Sequence, residues 1–198
     1  MRYADHHKTE TRARIVAVAA NAIRRRGPER VAVAEVMAEA GLTHGGFYAH
    51  FPSKDALVAE AIDAMFADTQ RRNPVLEDAL ADPQADMAAA LRSYLSGYLS
   101  TAHRDRADRG CPLAALSGDI ARGPDAARAR FAQGIDRLTV RISSALERLD
   151  LPNPRREAGT LLAQLVGTMS LARALGRGER SDAMLADALA GLIARFGL

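Results

Sequence analysis

Tryptophan is absent from this 198-residue chain, cysteine occurs once, and only five phenylalanines and four tyrosines are present. A single thiol, Cys111, excludes an intrachain disulfide framework and a cysteine-built structural zinc site. No apolar run approaches the roughly 18 residues needed to cross a bilayer. The stretch Met1 to Glu10 is polar and lacks the apolar centre of an export signal, so the expectation is a cytoplasmic protein with no membrane partner. The five histidines (His6, His7, His44, His50 and His103) show no pairing with carboxylates at the spacing of helical ligands, and His6-His7 is expected to sit in a mobile tail. No set of acid, base and nucleophile stands out either, so neither an enzyme nor a metal or cofactor is expected.

The chain is rich in alanine and leucine instead. Apolar residues make up 48% of the sequence, and with β-branched and aromatic residues in the minority this composition suits packed helices. An all-α fold is therefore expected. The net charge of +3 is unevenly placed: residues 1–54 hold nine Lys/Arg against five acids, a net of +4, which leaves the other 144 residues at −1. A basic front end on a near-neutral body is the electrostatic footprint of a nucleic-acid binder, and equally of a solvated charged surface.

Helical periodicity runs from Ile15 through Val18, Ala19, Ala22 and Ile23 and stops at Gly27-Pro28. A second short helix is predicted over Val33 to Ala40, followed by Gly41 in a tight turn. The third begins at Thr43, a good N-cap, and ends before Pro52. Ser53 caps a fourth, with Leu57, Ala61, Ile62, Met65 and Phe66 as its buried stripe, ending before Asn73-Pro74. Later helices are expected over 83–102, 112–122, 124–149, 155–176 and 181–196, about nine in all, with the charged stretch 103–109 as an exposed loop.

A short helix, a glycine turn and a second short helix form a helix-turn-helix, whose second helix can read base edges in the major groove. Val36, Met37, Ala40, Leu42, Phe47 and Phe51 would anchor it. The pattern Gly41-Leu42-Thr43-x-Gly45-x-Phe47-Tyr48-x-His50-Phe51-x-Ser53-Lys54-x-x-Leu57 resembles the signature of the TetR family of one-component repressors, and the match extends over roughly residues 9–62. The resemblance implies a three-helix DNA-binding domain (1–54), then a helical effector-binding and dimerisation domain (55–198). Its partners would be a double-stranded DNA operator, a small-molecule effector and a second copy of the chain. It also implies that Thr43, His44, Gly45 and Gly46 open the recognition helix facing DNA, that Tyr48 and His50 lie against the backbone, and that Lys54 joins a helix N-terminus in holding a phosphate. Three positions depart from the pattern. Ala32 removes a side-chain cap, at about 1 kcal/mol, and Gly46 beside Gly45 weakens the helix by about 1 kcal/mol per glycine relative to Ala. His44 stands where lysine or another polar residue is common, so operator affinity that rises with falling pH is one expectation.

In the second half, Gly110-Cys111-Pro112-Leu113 resembles a glycine-cysteine element of one branch of the family. Cys111 at a helix start beside Arg109 suits a reactive thiol, and it suits a small packed residue as well. Leu161, Leu162, Leu165, Val166 and Met169, then Leu185, Leu189, Leu192 and Phe196, give the last two helices wide apolar faces, read as a four-helix dimer interface. A pocket lined by Phe66, Leu95, Tyr98, Leu99, Cys111, Phe131, Leu138 and Met169 would take a mostly apolar effector. Besides the repressor, two readings stay open at this point: an electrophile or redox sensor acting through Cys111, and a helical binding module without specific DNA binding.

Overall fold

The computed structural model describes residues 2–198, with side chains from His6 onward. Among the described residues it is all helix: α1 (Arg2–Arg26), α2 (Val33–Glu39), a 3-10 helix (His44–Ala49), α3 (Lys54–Arg72), α4 (Val75–Ala81), α5 (Met87–Tyr98), α6 (Thr101–Asp105), a 3-10 turn (Ala107–Arg109), α7 (Pro112–Ile120), α8 (Asp125–Glu147), α9 (Pro154–Leu175) and α10 (Glu179–Phe196). No helix among them is long and apolar enough to cross a membrane.

The front end folds because its apolar positions converge. Ile15, Ala19, Ala22 and Ile23 of α1, Val36 and Met37 of α2, Phe47 and Phe51 around the 3-10 helix, and Leu57, Ala61 and Ile62 of α3 are all buried together. Gly27 ends α1 at φ +80° and Gly41 turns the chain after α2 at φ +72°, a region that side chains with a Cβ enter only under strain. Arg12 fastens these pieces. Its guanidinium donates to the His50 carbonyl and to Glu60, and lies 4.2 Å from the centre of the Phe51 ring. One side chain of α1 thereby holds the end of the helix-turn-helix against α3.

Helix α3 is common to both halves: it packs on α1 at the front and on α8 behind. The expected boundary after residue 54 falls at its first turn. Behind it, α8, α9 and α10 pack in succession, with α4 and α5 closing one side and α7 wedged between α8 and α9.

Several expectations are corrected. Helix α1 starts at Arg2, so His6 and His7 lie on a helix rather than in a tail, and His6 faces Glu10 one turn on at 3.4 Å. The expected helix over 83–102 is two helices split after Tyr98, and α4 fills a stretch where none was expected. Residues 103–109 are no exposed loop. Arg104 is buried, paired with Asp105 and Asp182 and donating to Ser181 Oγ at 2.6 Å. Arg104 thereby joins α6 to α10, while Asp105, Arg106 and Arg109 of the same stretch stay exposed.

The apolar residues assigned to a dimer face are mostly spent within the chain. Leu161, Leu162, Leu165, Met169, Leu185, Leu192 and Phe196 are buried in its own core, and Val166 and Leu189 are half-buried against it. Two long helices packed on each other, with α9 also on α8 and α10 also on α5, need that many apolar side chains for themselves. The outward face of α9 carries small residues instead, Gly159, Ala163, Gly167 and Ala174, with Leu171 58% exposed among them.

Candidate nucleic-acid interface and effector cavity

The helix-turn-helix presents a polar, aromatic outer face. The segment His44–Ala49 is a 3-10 helix rather than an α-helix, as expected of a six-residue element with two glycines, which lack the backbone bias to close regular turns. Thr43 precedes it with an extended backbone and makes no side-chain capping bond, contrary to its reading as an N-cap. Thr43, His44 and Gly45 are exposed, Gly46 half-buried. Ala32 likewise caps nothing.

Tyr48 is 71% exposed, yet its ring is fixed edge-on against buried Phe47 at 5.3 Å. An exposed tyrosine held in one orientation loses little freedom on binding, which suits a phosphate contact. His50 is half-buried with Nδ1 lacking a hydrogen-bond partner; burial, reinforced by the charges of Lys8 and Arg12, pushes its pKa below the ordinary value. Ser53 caps α3 by accepting from Ala56 N–H at 3.1 Å, and Lys54 in the first turn donates to the Glu29 carbonyl at 3.2 Å. That single bond to a loop carbonyl leaves two ammonium protons for another acceptor.

Behind this unit, α3, α5, α8 and the segment 103–112 line a partly open cavity of about 190 Å³. Of the residues expected to line it, Phe66, Tyr98, Cys111 and Leu138 do. Leu95, Leu99 and Met169 are core residues that do not reach it, and Phe131 stands behind Phe66, with ring centroids 5.8 Å apart. Helical periodicity marks a residue as inward-facing without saying whether it meets another side chain or a void. Beside the apolar side chains, Arg72, Arg109, Arg137 and Arg141 also line the cavity. They come from three separate segments, so no local pattern reveals them.

The cavity's inner wall is a polar cluster around α6 and the start of α7. His103 Nδ1 donates to the Tyr98 carbonyl at 2.7 Å and Nε2 accepts from Cys111 N–H at 3.0 Å, an arrangement that only the neutral imidazole satisfies. Burial, with Arg173 adding to it, lowers the His103 pKa to about 4. Gly110 is required by space: a Cβ there would lie 2.6 Å from both Arg173 Nη2 and His103 Nε2. Cys111 is buried, and burial pushes its thiol up, despite Tyr98, the amides of Leu113 and Ala114, and Arg173 acting the other way. The geometry therefore favours the packed residue over the activated thiol.

Arg24 links the two sites. Buried on α1, it donates through Nη2 to the Met65 carbonyl at 2.8 Å and to Thr69 Oγ1 at 3.3 Å, and through Nη1 to Asp68 at 3.2 Å. Thr69 lines the cavity, and its hydroxyl lies 3.4 Å from the Gly110 carbonyl. A run of hydrogen bonds thus leads from the cavity wall into the last turn of α1. The sequence holds one signal for it: Arg24 shares the apolar face of α1 with Ala20, Ile23 and Gly27, where a solvated arginine has no place.

Residues 15–61 match the model of the tetR family of bacterial regulatory proteins. No curated protein sequence matches the chain at a significant level. Among solved structures, E. coli NemR in its reduced form is similar at 22% identity over 92% of this chain and 94% of its own, with a TM-score of 0.79. A TetR-family regulator from Agrobacterium tumefaciens aligns at 22% identity over 95% and 98%, with a TM-score of 0.77. One from Chloroflexus aurantiacus aligns at 24% over 96% and 95%, at 0.75. Residues 15–61 thus match the tetR family of bacterial regulatory proteins, within a chain that has the overall fold of solved TetR-family transcriptional regulators.

Proposed function

We propose that the chain is a ligand-responsive repressor that binds a pseudo-palindromic operator as a homodimer and is released when a small effector fills the cavity behind α3. The observation that carries this reading is the hydrogen-bonded run from Thr69 to Arg24, because it gives a cavity occupant a physical route to the DNA-binding unit. A ligand that binds one setting of α3 against α1 better than another shifts the population toward it, and the spacing of two recognition segments shifts with it. The small-residue face of α9 is the candidate for contact between copies, since glycine and alanine allow close helix approach and Leu171 would otherwise stay in water. Thr43, His44 and Gly45 are assigned to base edges, and Tyr48, His50 and Lys54 to the phosphate backbone.

Selection of bound duplexes from a random library tests this, repeated with Tyr48→Ala and Lys54→Ala. An inverted repeat enriched by the native protein and weakened by both substitutions is the expected result. Failure to enrich any sequence at low salt would reject operator binding and leave a helical binding module.

A further inference from the structure

We propose that the cavity's ligand is a small organic anion, a carboxylate on a single-ring or comparably sized apolar body. This rests on the reading of the cavity as an effector site and names the chemistry of what enters it.

Volume sets the size. A cavity of about 190 Å³ is moderately larger than the roughly 150 Å³ that holds benzene, which leaves room for one ring and a short polar arm. Phe66, Tyr94 and Leu138 supply apolar and aromatic surface for the ring.

Charge sets the sign. Among the described residues, four arginines and no aspartate or glutamate line the cavity. Their acidic partners stand outside it and are shared: Asp68 serves Arg24, Arg71 and Arg72, and Asp63 serves Arg130 and Arg137. Two carboxylates therefore face five guanidinium groups. Arg109 and Arg141 have one acid each, Asp108 and Glu77. Arg173, behind Gly110, bonds only to backbone carbonyls, and its Nη1 is buried without a hydrogen-bond partner. A cationic ligand would add to this positive excess with no carboxylate to meet it. An anion is attracted by it, and bidentate guanidinium–carboxylate geometry strengthens the contact.

An unfilled hydrogen bond points the same way. Tyr98 is 5% exposed, lines the cavity, and has a buried hydroxyl that meets no oxygen or nitrogen partner in hydrogen-bond geometry, only the Cys111 thiol beside it. A buried O–H donor left unsatisfied costs free energy, and a carboxylate oxygen is the acceptor that repays it best. The surrounding groups serve poorly: His103 is committed through both ring nitrogens, arginine accepts nothing, and the Cys111 sulfur is a weak acceptor.

The test uses the full-length protein and matched one-ring probes: benzoate, 3-phenylpropionate and 4-phenylbutyrate, each with its primary amide and the corresponding amine, measured by calorimetry. The expected result is at least one acid binding tenfold or more tighter than its amide and amine. Tyr98→Phe and Arg137→Gln should each weaken that acid threefold to tenfold and change the amide less than twofold; Tyr98→Phe is near-isosteric and Arg137 is half-exposed, so both variants should fold. Amides or amines binding as tightly as the acids would overturn the anion assignment while leaving the cavity an effector site. Absence of binding in all three charge classes would overturn both.

Discussion

Gly134 on α8 places the cavity under direct control of one methyl group. A Cβ at this position would lie 2.1, 2.3 and 2.5 Å from three atoms of the Phe66 ring, where ordinary contact needs 3.4–4 Å. The ring must retreat by more than 1 Å, and because Phe66 lines the cavity, the open space lies in front of it. Gly134→Ala should therefore move Phe66 into the volume a ligand would occupy. Overpacking costs about 1–3 kcal/mol in a filled core, but here the ring has somewhere to go, and replacing glycine inside a helix returns about 1 kcal/mol. The net loss should be about 1 kcal/mol, a fall of about 2–4 °C in Tm for a chain of this size. Ligand affinity should fall far more, by tenfold or greater, with operator affinity in the absence of ligand unchanged. Calorimetry with a bound probe and thermal melts would measure both. The double variant Gly134→Ala/Phe66→Leu supplies the control, since a smaller side chain at 66 makes room for the methyl and should restore part of the binding. Native-like binding by Gly134→Ala, or further loss in the double variant, would refute the argument.

Three further outcomes follow from the geometry. Arg24→Met removes three hydrogen bonds but leaves Asp68 held by Arg72 at 3.0 Å, so the carboxylate is not stranded; stability should fall by about 2 kcal/mol, and operator binding should persist while its response to ligand is lost, as read by operator titrations with and without ligand. His103 is neutral in the fold down to about pH 4, whereas in the unfolded chain it takes a proton near pH 6.5. Its stabilisation is thus complete above pH 6.5 and is lost as pH falls from about 6.5 to 4, a contribution on the order of 3 kcal/mol. Thermal melts from pH 7 to 5 should show a steeper loss for the native protein than for His103→Gln, and parallel curves would count against it. Ser53→Ala deletes the bond to Ala56 N–H that starts α3 and should cost about 1 kcal/mol, or about 2–4 °C in Tm.

The helix-turn-helix was legible because its determinants are local. Gly41 needs a positive φ wherever it stands, Ser53 caps whatever helix follows it, and Phe47 and Phe51 are four apart on one short segment, so neighbours in sequence settle the geometry. The same local logic failed where length decided: six residues with two glycines close 3-10 turns, and Thr43 caps none of them.

The cavity lies at the other extreme. Its walls are Phe66 from α3, Tyr98 from α5, Cys111 at the start of α7 and Leu138 from α8, and no periodicity states which inward residues stop short of one another. Periodicity also overstated the apolar face of α9 and α10, since most of those side chains are absorbed by the chain's own core. Composition and short-range pattern determined the all-helical class, the helix-turn-helix and the identity of its exposed residues, because backbone preference and capping act within a few positions. Only the tertiary structure decided where the arginines gather, that Arg24 bridges α1 to the cavity wall, and that His103 is neutral, because burial and charge pairing are set by segments that meet only when the chain has folded.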